Sequence, residues 1–316
     1  MADNFFGVIL ILMKFFLLVF LLFSFSAYSQ QSDPMQVLKD NVANPKDKLK
    51  NEINKNLNEQ ANKNLKEFFT TVKTNISLNE YDQLEGSIIG FKPMLPYDNK
   101  SDDIYGWQSS LAITDSRYTL NNGLVYRKIN SSLDYPLIYG ANLFYDIEFP
   151  DQHQRASLGL ELKSSFIDSN INHYVPITKT LKGRDGVDES VVKGTTLDAS
   201  VPFPYIPLLK AKVEYFNWSG NDGGPSSIGQ TYSLIGKISD SLLFTISQKR
   251  ERGQDKVFLY NISYVYSDKS LKKETELPIF TNEAFIKTDI RPKMLEVVER
   301  ENIIKKQIGG LTIKTR

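Results

Sequence analysis

From Thr71 to Tyr266 the apolar positions of this chain recur every second residue. Twelve alternating runs can be marked, at 71–78, 82–92, 104–113, 117–127, 135–147, 155–163, 166–175, 193–202, 209–219, 229–238, 241–250 and 256–266. A period of two belongs to strands with unlike faces. Tyr139, Ala141, Leu143 and Tyr145, then Ala156, Leu158, Leu160 and Leu162, fall on one face, while Asp146, Glu161 and Lys163 fall on the other. Leu209, Ala211, Val213 and Tyr215 oppose Lys210, Lys212 and Glu214 in the same way. The second and seventh runs carry the weakest pattern. Ahead of these runs the period is four: Leu49, Ile53, Leu57, Ala61, Leu65 and Phe69 form the narrow stripe of an amphipathic helix beginning after Pro45. That helix reads either as a solvated leader or as an element that docks on the rim of the β region.

Alternation alone fits a soluble sandwich. Three features favour a closed barrel in a lipid bilayer. The runs are mostly 8 to 11 residues long and even in number, as in outer-membrane barrels. Their apolar faces end in aromatic residues, as an interfacial girdle requires. The connections also alternate: "TKTLKGRDGVDES" and "GNDGGPSSIG" come after the seventh and ninth runs, while the short "PFPYIP" and "SD" come after the eighth and tenth. Long loops at one rim and tight turns at the other complete the pattern. The expected fold is therefore all-β, a twelve-stranded antiparallel transmembrane β-barrel of outer-membrane type over residues 71–266. The apolar face meets lipid and the charged face meets the lumen. Lys73, Arg127, Asp146, Glu161, Lys163, Asp198, Lys210, Lys212, Glu214 and Lys237 are expected to point inward, mostly as an ion-pair network, with a solute filter as the alternative.

The N-terminus adds a destination. "MKFFLLVFLLFSFSAYSQ" has Lys14, an apolar run and small residues at Ala27 and Ser29, so residues 1–29 read as a secretory signal peptide. With "MADNFFGVILIL" in front, the apolar run is long enough to span a bilayer. Two readings compete, an N-terminal anchor or a start at Met13, and the second places Lys14 and the small residues correctly. Export would bring the barrel to the bacterial outer membrane, with residues 30–70 a periplasmic helical leader and residues 267–316 a post-barrel tail.

Composition then removes alternatives. The 38 basic and 37 acidic residues nearly cancel, so there is no nucleic-acid footprint. With no cysteine, neither a disulfide nor a thiolate metal site can form, and His153 and His173 are the two histidines. No phosphate loop or nucleophile elbow is present. No cofactor, metal or catalytic residue is expected.

The chain resembles the β-domain of inverse autotransporters, the intimin and invasin family. The resemblance runs from "NLKEFFTTVKTNISLNE" through "MLPYDNKSDDIYGWQSSLAITDSRYTLNNGLVYRKI" and "LDASVPFPYIPLLKAKVEYFNW", and fades after "LLFTISQ". Its most specific pieces are "PYDNK" (with Pro96, Asp98 and Asn99), "GANLFYD" (with Gly140, Asn142, Phe144, Tyr145 and Asp146) and "HQRASLGLEL" (with His153, Arg155 and Gly159). Structural roles are expected for these residues: a turn at Asp98–Asn99, inward space at Gly140 and Gly159 for a passing chain, and pairing of His153 or Arg155 with Asp146 or Glu148. The resemblance implies that the segment after the last strand returns through the lumen and carries its C-terminal end to the cell surface for display. "VVERENIIKK" is similar to the family's post-barrel linker, and roughly 14 extended residues would cross about 45 Å. The expected partners are outer-membrane lipid, periplasmic chaperones and the barrel-assembly machinery, which reads terminal strands such as "FLYNISYVY", with the linker itself as plug. No passenger modules come after "QIGGLTIKTR" in this sequence. A porin-like or relic barrel is the alternative. A Ser–His lipase of outer-membrane phospholipase type is set aside, since neither His173 nor His153, near Ser157, has that family's motif context.

Overall fold

A computed structural model describes residues 65–79, 84–98, 100–114, 117–132, 135–183, 186–221, 224–268, 277–309 and 312–314. The signal peptide, most of the leader helix and Asn99 lie outside the described residues. Twelve strands close one antiparallel barrel: β1 (Thr71–Asn79), β2 (Leu84–Pro93), β3 (Asp103–Thr114), β4 (Arg117–Asn130), β5 (Leu137–Phe149), β6 (Gln154–Lys163), β7 (Asp168–Pro176), β10 (Lys193–Phe203), β11 (Ile206–Ser219), β12 (Ser226–Ser239), β13 (Leu242–Glu251) and β14 (Val257–Ser267). The seam pairs β1 with β14 from Thr71↔Ser267 to Asn79↔Leu259, so no barrel edge is left unpaired. Every expected run formed a strand, including the weak second and seventh. Closure supplies both neighbours to each, and ladder bonds then outweigh a poor side-chain pattern.

β7 pairs directly with β10. The connection between them is no plain polar loop: it holds two short strands, β8 (Thr180–Lys182) and β9 (Asp188–Val191). These join β15 (Lys306–Ile308) and β16 (Thr312–Lys314) in a separate sheet of order β16-β15-β9-β8. An isolated hairpin is marginal in water, and the strand contributed by the C-terminal segment makes the sheet viable. The rim where β1 begins and β14 ends is called here the near rim; the small sheet stands at the far rim.

The outer surface is apolar. Leu143, Leu158 and Leu160 are more than half exposed, and Tyr139, near one rim, and Tyr145, near the other, are partly so. Inside, the strand-to-strand fit is made by aromatic rings laid over glycines. A side chain at Gly106, Gly123, Gly194 or Gly229 would collide with Phe91, Phe144, Trp218 or Phe216 respectively. Such ring-over-glycine pairs pin register where glycine alone would loosen it. A helical turn at 65–68 ends in Phe69, which lies over Gly90 and tilts against the Trp107 ring at 5.6 Å on the outer wall. Thus the C-terminal end of the leader stripe docks beside the near rim.

Candidate functional site

The lumen is occupied by the chain's own C-terminal segment. An extended segment outside any sheet leaves its N–H and C=O groups to be satisfied by other partners. Here the barrel wall supplies them level by level.

At the near rim, a 3-10 turn over Arg291–Leu295 opens the passage, with Pro292 in its first turn. Arg291 donates to the Ser101 carbonyl (3.0 Å) and to Asp102 (2.8 Å), and Lys293 donates to the Ser164 carbonyl (2.6 Å) and Asp168 (2.5 Å). Next comes an apolar stage: Ile290, Met294, Leu295, Val297 and Val298 pack on Ile89, Phe91, Ile104, Val125, Ile129, Ile138 and Phe144 of the wall. Gln108 clasps Val298 on both sides, accepting from its N–H (2.7 Å) and donating to its C=O (3.3 Å).

The middle stage is ionic. Arg127 is paired with Glu161 (2.9 Å) and donates to the carbonyls of Met294 (2.9 Å) and Glu296 (2.5 Å). Arg155 is paired with Asp146 (2.8 Å) and donates to the carbonyls of Glu301 (2.8 Å) and Ile303 (3.2 Å). Arg300 of the threaded segment meets Asp146 with both terminal nitrogens, at 3.0 and 2.7 Å, and lies over the Phe144 ring at 4.2 Å. Lys73 holds Glu299 at 2.7 Å. Asn172 donates to the Glu299 carbonyl (3.1 Å), and the Glu301 N–H donates to the Tyr174 hydroxyl (2.7 Å).

At the far rim β15 pairs with β9, placing Lys306 opposite Val191 and Gln307 opposite Ser190. Lys306 is fully buried among Glu148, which it touches closely, and Glu189 at 3.2 Å. Arg117 ties the same carboxylates together, reaching Glu148 (3.0 Å), Asp151 (2.5 Å) and Glu189 (2.8 Å). His153 meets Glu189 at 3.1 Å. Burial raises the tendency of Glu189 to stay protonated, but Lys306 and Arg117 outweigh it and hold its carboxyl below the ordinary range. Burial and then the Lys306 charge push the His153 imidazole below its ordinary 6.5, with Glu148 and Glu189 offsetting only part. The unfolded chain thus takes up the proton more readily. This group costs no stability above about pH 6.5, and the far-rim cluster weakens as pH falls from there toward the folded pKa. Amide exchange along β9 and β15 is expected to quicken on acidification through that window, and His153→Gln is expected to flatten the response. A profile unchanged by the substitution would contradict this.

The remaining predicted residues are divided between the near-rim loop and the barrel wall. Pro96 and Asp98 lie in the loop, where Asp98 accepts from the Ser101 hydroxyl (2.8 Å) and from the N–H groups of Lys100 (3.0 Å) and Ser101 (2.8 Å). Those bonds, the hydroxyl first, keep its carboxyl below the ordinary range. Tyr145 faces outward, whereas Asn142, Phe144, Asp146 and Arg155 face the lumen. Lys163 reaches Glu296 (3.0 Å), Lys212 sits between Asp198 (3.5 Å) and Glu299 (3.8 Å), Lys210 reaches Asp168 (3.3 Å) and Lys237 reaches Asp240 (3.0 Å). Lys73, Lys210, Lys212, Glu214 and Lys237 also line a cavity of about 600 Å³ left between the segment and the opposite wall.

One expectation needs correcting. The space over Gly140 is filled by Glu161 (2.7 Å from where a Cβ would stand) and Arg127, and that over Gly159 by Asn142 (2.6 Å) and Asn172. These glycines admit neighbouring wall side chains, not the passing segment directly. The pairing expected of His153 or Arg155 is made by Arg155, which meets Asp146 at 2.8 Å; His153 pairs instead with Glu189, 36 positions along the chain. His173 lies exposed on the outer face, bonded to Thr195 at 2.9 Å. Sequence reasoning missed Gln108, Arg117, Tyr174, Glu189, Arg300 and Lys306. A signal existed only for Arg300 and Lys306, which stand in the alternating apolar and charged "MLEVVERENIIKK".

The family described as "Inverse autotransporter, beta-domain" matches residues 24–227, more than half of the chain. The chain belongs to that family. It is similar to the inverse autotransporter adhesin YeeJ of Escherichia coli K12, 24% identical over 157 residues, which is 49% of this chain and 6% of that protein. The match therefore spans a small part of that relative. A structure solved in work on the in-meso crystallization of membrane proteins superposes with a TM-score of 0.60 at 18% identity, covering 75% of this chain and 98% of that one. The KdgM porin superposes with a TM-score of 0.39 at 8% identity, covering 61% of this chain and 98% of its own. The first of these shows a shared barrel fold; the second carries no argument. Fold and family together place this inverse autotransporter β-domain in the bacterial outer membrane.

Proposed function

We propose that this barrel, exported by its signal peptide and inserted by chaperones and the barrel-assembly machinery, translocates its own C-terminal segment and displays it at the cell surface. The near rim is then periplasmic and the far rim extracellular. The reading rests on one observation: the segment from Arg291 to Ile308 is bonded continuously from the near-rim loops to the far-rim sheet. In this reading the barrel is an anchor and plugged conduit, and its ionic stages hold the segment in place. We infer no enzymatic activity and no nucleic-acid partner.

A tag placed after Arg316 tests the reading. It is expected to be open to antibody and protease on intact cells; protection until lysis would overturn display. A cross-link tests the path itself, in a chain free of native cysteine. Gln307 and Ser190 face each other across the β15–β9 ladder, so Q307C with S190C is expected to form a disulfide in membranes, read as a mobility shift without reductant. A porin-like reading draws on the cavity beside the segment. Steady ion conductance of the full chain in planar bilayers would favour it.

A further inference from the structure

Between the last barrel strand and the lumen entrance, residues 277–289 run along the outer edge of the near rim. Two anchor points fix the course. The Thr281 N–H donates to the Tyr205 carbonyl (3.1 Å), and the Tyr205 N–H donates to the Ala284 carbonyl (3.0 Å), in the β10–β11 turn. Further along, the Phe285 ring meets Phe166 edge-on at 6.3 Å, Phe166 meets Tyr135 at 5.1 Å, and Ser165 donates to the Thr288 carbonyl (2.9 Å). Both anchor points adjoin the lipid-facing wall: Phe203 precedes Tyr205 on an outward position, and Ile167 comes after Phe166 on another.

The segment itself presents apolar side chains that the protein leaves largely open. Phe280 is 71% exposed, the most exposed large apolar residue among those described, Ile279 is 63% exposed and Phe285 44%. In water such a cluster would be unfavourable. Beside a membrane-spanning wall it continues the aromatic belt that already runs through Tyr135, Phe203 and Tyr205.

We propose that residues 279–285 form an interfacial strap, with Ile279, Phe280 and Phe285 inserted among the phospholipids of the near-rim leaflet. The intervening Thr281, Asn282 and Glu283 suit the headgroup level, where polar and apolar groups coexist over about 5–10 Å of depth. The strap fixes the point from which the C-terminal segment turns into the lumen. It depends on the barrel's place in a bilayer and not on the direction of display, so it stands or falls separately from the proposed function.

Tryptophan fluorescence in lipid tests it. The full chain and its Phe280→Trp variant are refolded into phosphatidylcholine vesicles with or without bromine high on the acyl chains, and the parent emission (Trp107 and Trp218) is subtracted. Phe203→Trp serves as the lipid-facing reference and Asp240→Trp, in an exposed turn at the same rim, as the water-facing one. Heat-shifted mobility on gels verifies barrel folding for each. The added emission is expected to shift to the blue and to lose intensity in brominated vesicles, as at position 203. Red emission without quenching, as at position 240, would overturn the proposal. A blue shift with no bromine quenching would overturn it too, since protein would then cover the site.

Discussion

Asp146→Ala is expected to lower the stability of the folded barrel by about 3–5 kcal/mol, the cost of leaving buried charge uncompensated. Asp146 is fully buried and receives two guanidiniums, Arg155 from the wall and Arg300 from the threaded segment. Removing it strands both. The two cations are fixed by other bonds, Arg155 over the Tyr174 ring at 4.4 Å and Arg300 over Phe144, so neither can swing to water without undoing its own packing. Urea unfolding in bilayers measures the loss, and the seat of the effect can be separated. Arg300→Met alone leaves the Arg155–Asp146 pair intact, and is expected to cost less while raising ion conductance through the loosened plug. If Asp146→Ala and Arg300→Met are equally mild, the middle stage is solvated and not a buried network.

Gly194→Val is expected to cost about 1–3 kcal/mol through overpacking. Gly194 faces Trp218 across the β10–β11 ladder, and any side chain there would overlap the indole. The ring has nowhere to retreat: it is 2% exposed, clustered with Tyr174, Val192 and Phe216, with Tyr174 at 5.0 Å and Arg155 at 5.9 Å. The same substitution at Gly236, where a Cβ would meet its nearest neighbour at 3.4 Å, is expected to be mild. Equal costs at the two positions would mean that β propensity, and not the ring, sets the effect. The measurement is again urea unfolding, with gel mobility as a check of closure.

The barrel was legible because lipid and lumen impose opposite demands on alternate residues, and that demand is written locally as a period of two. Twelve runs, their faces and the inward set from Lys73 to Lys237 come from it without any knowledge of pairing. The direction of the long loops was equally local. The family pieces around Pro96, Gly140 and His153 added where the segment should go, and the apolar and charged order of "MLEVVERENIIKK" was compatible with that path.

Tertiary structure decided the partners. Asp146 and Arg300 are 154 residues apart, and Lys306 and Glu148 are 158 apart, so no spacing rule connects them. The loop after β7 became strands because a third strand arrived from the C-terminal segment, a contribution from outside its own sequence window. Gly140 and Gly159 looked like room for a passing chain, yet neighbouring strands filled that room first with Glu161, Asn142 and Asn172. Alternation states which face a residue takes; it carries nothing about which side chain from a distant stretch will stand opposite. Periodic solvent contrast is encoded residue by residue, whereas ion pairing in a closed lumen is a property of the whole assembled wall.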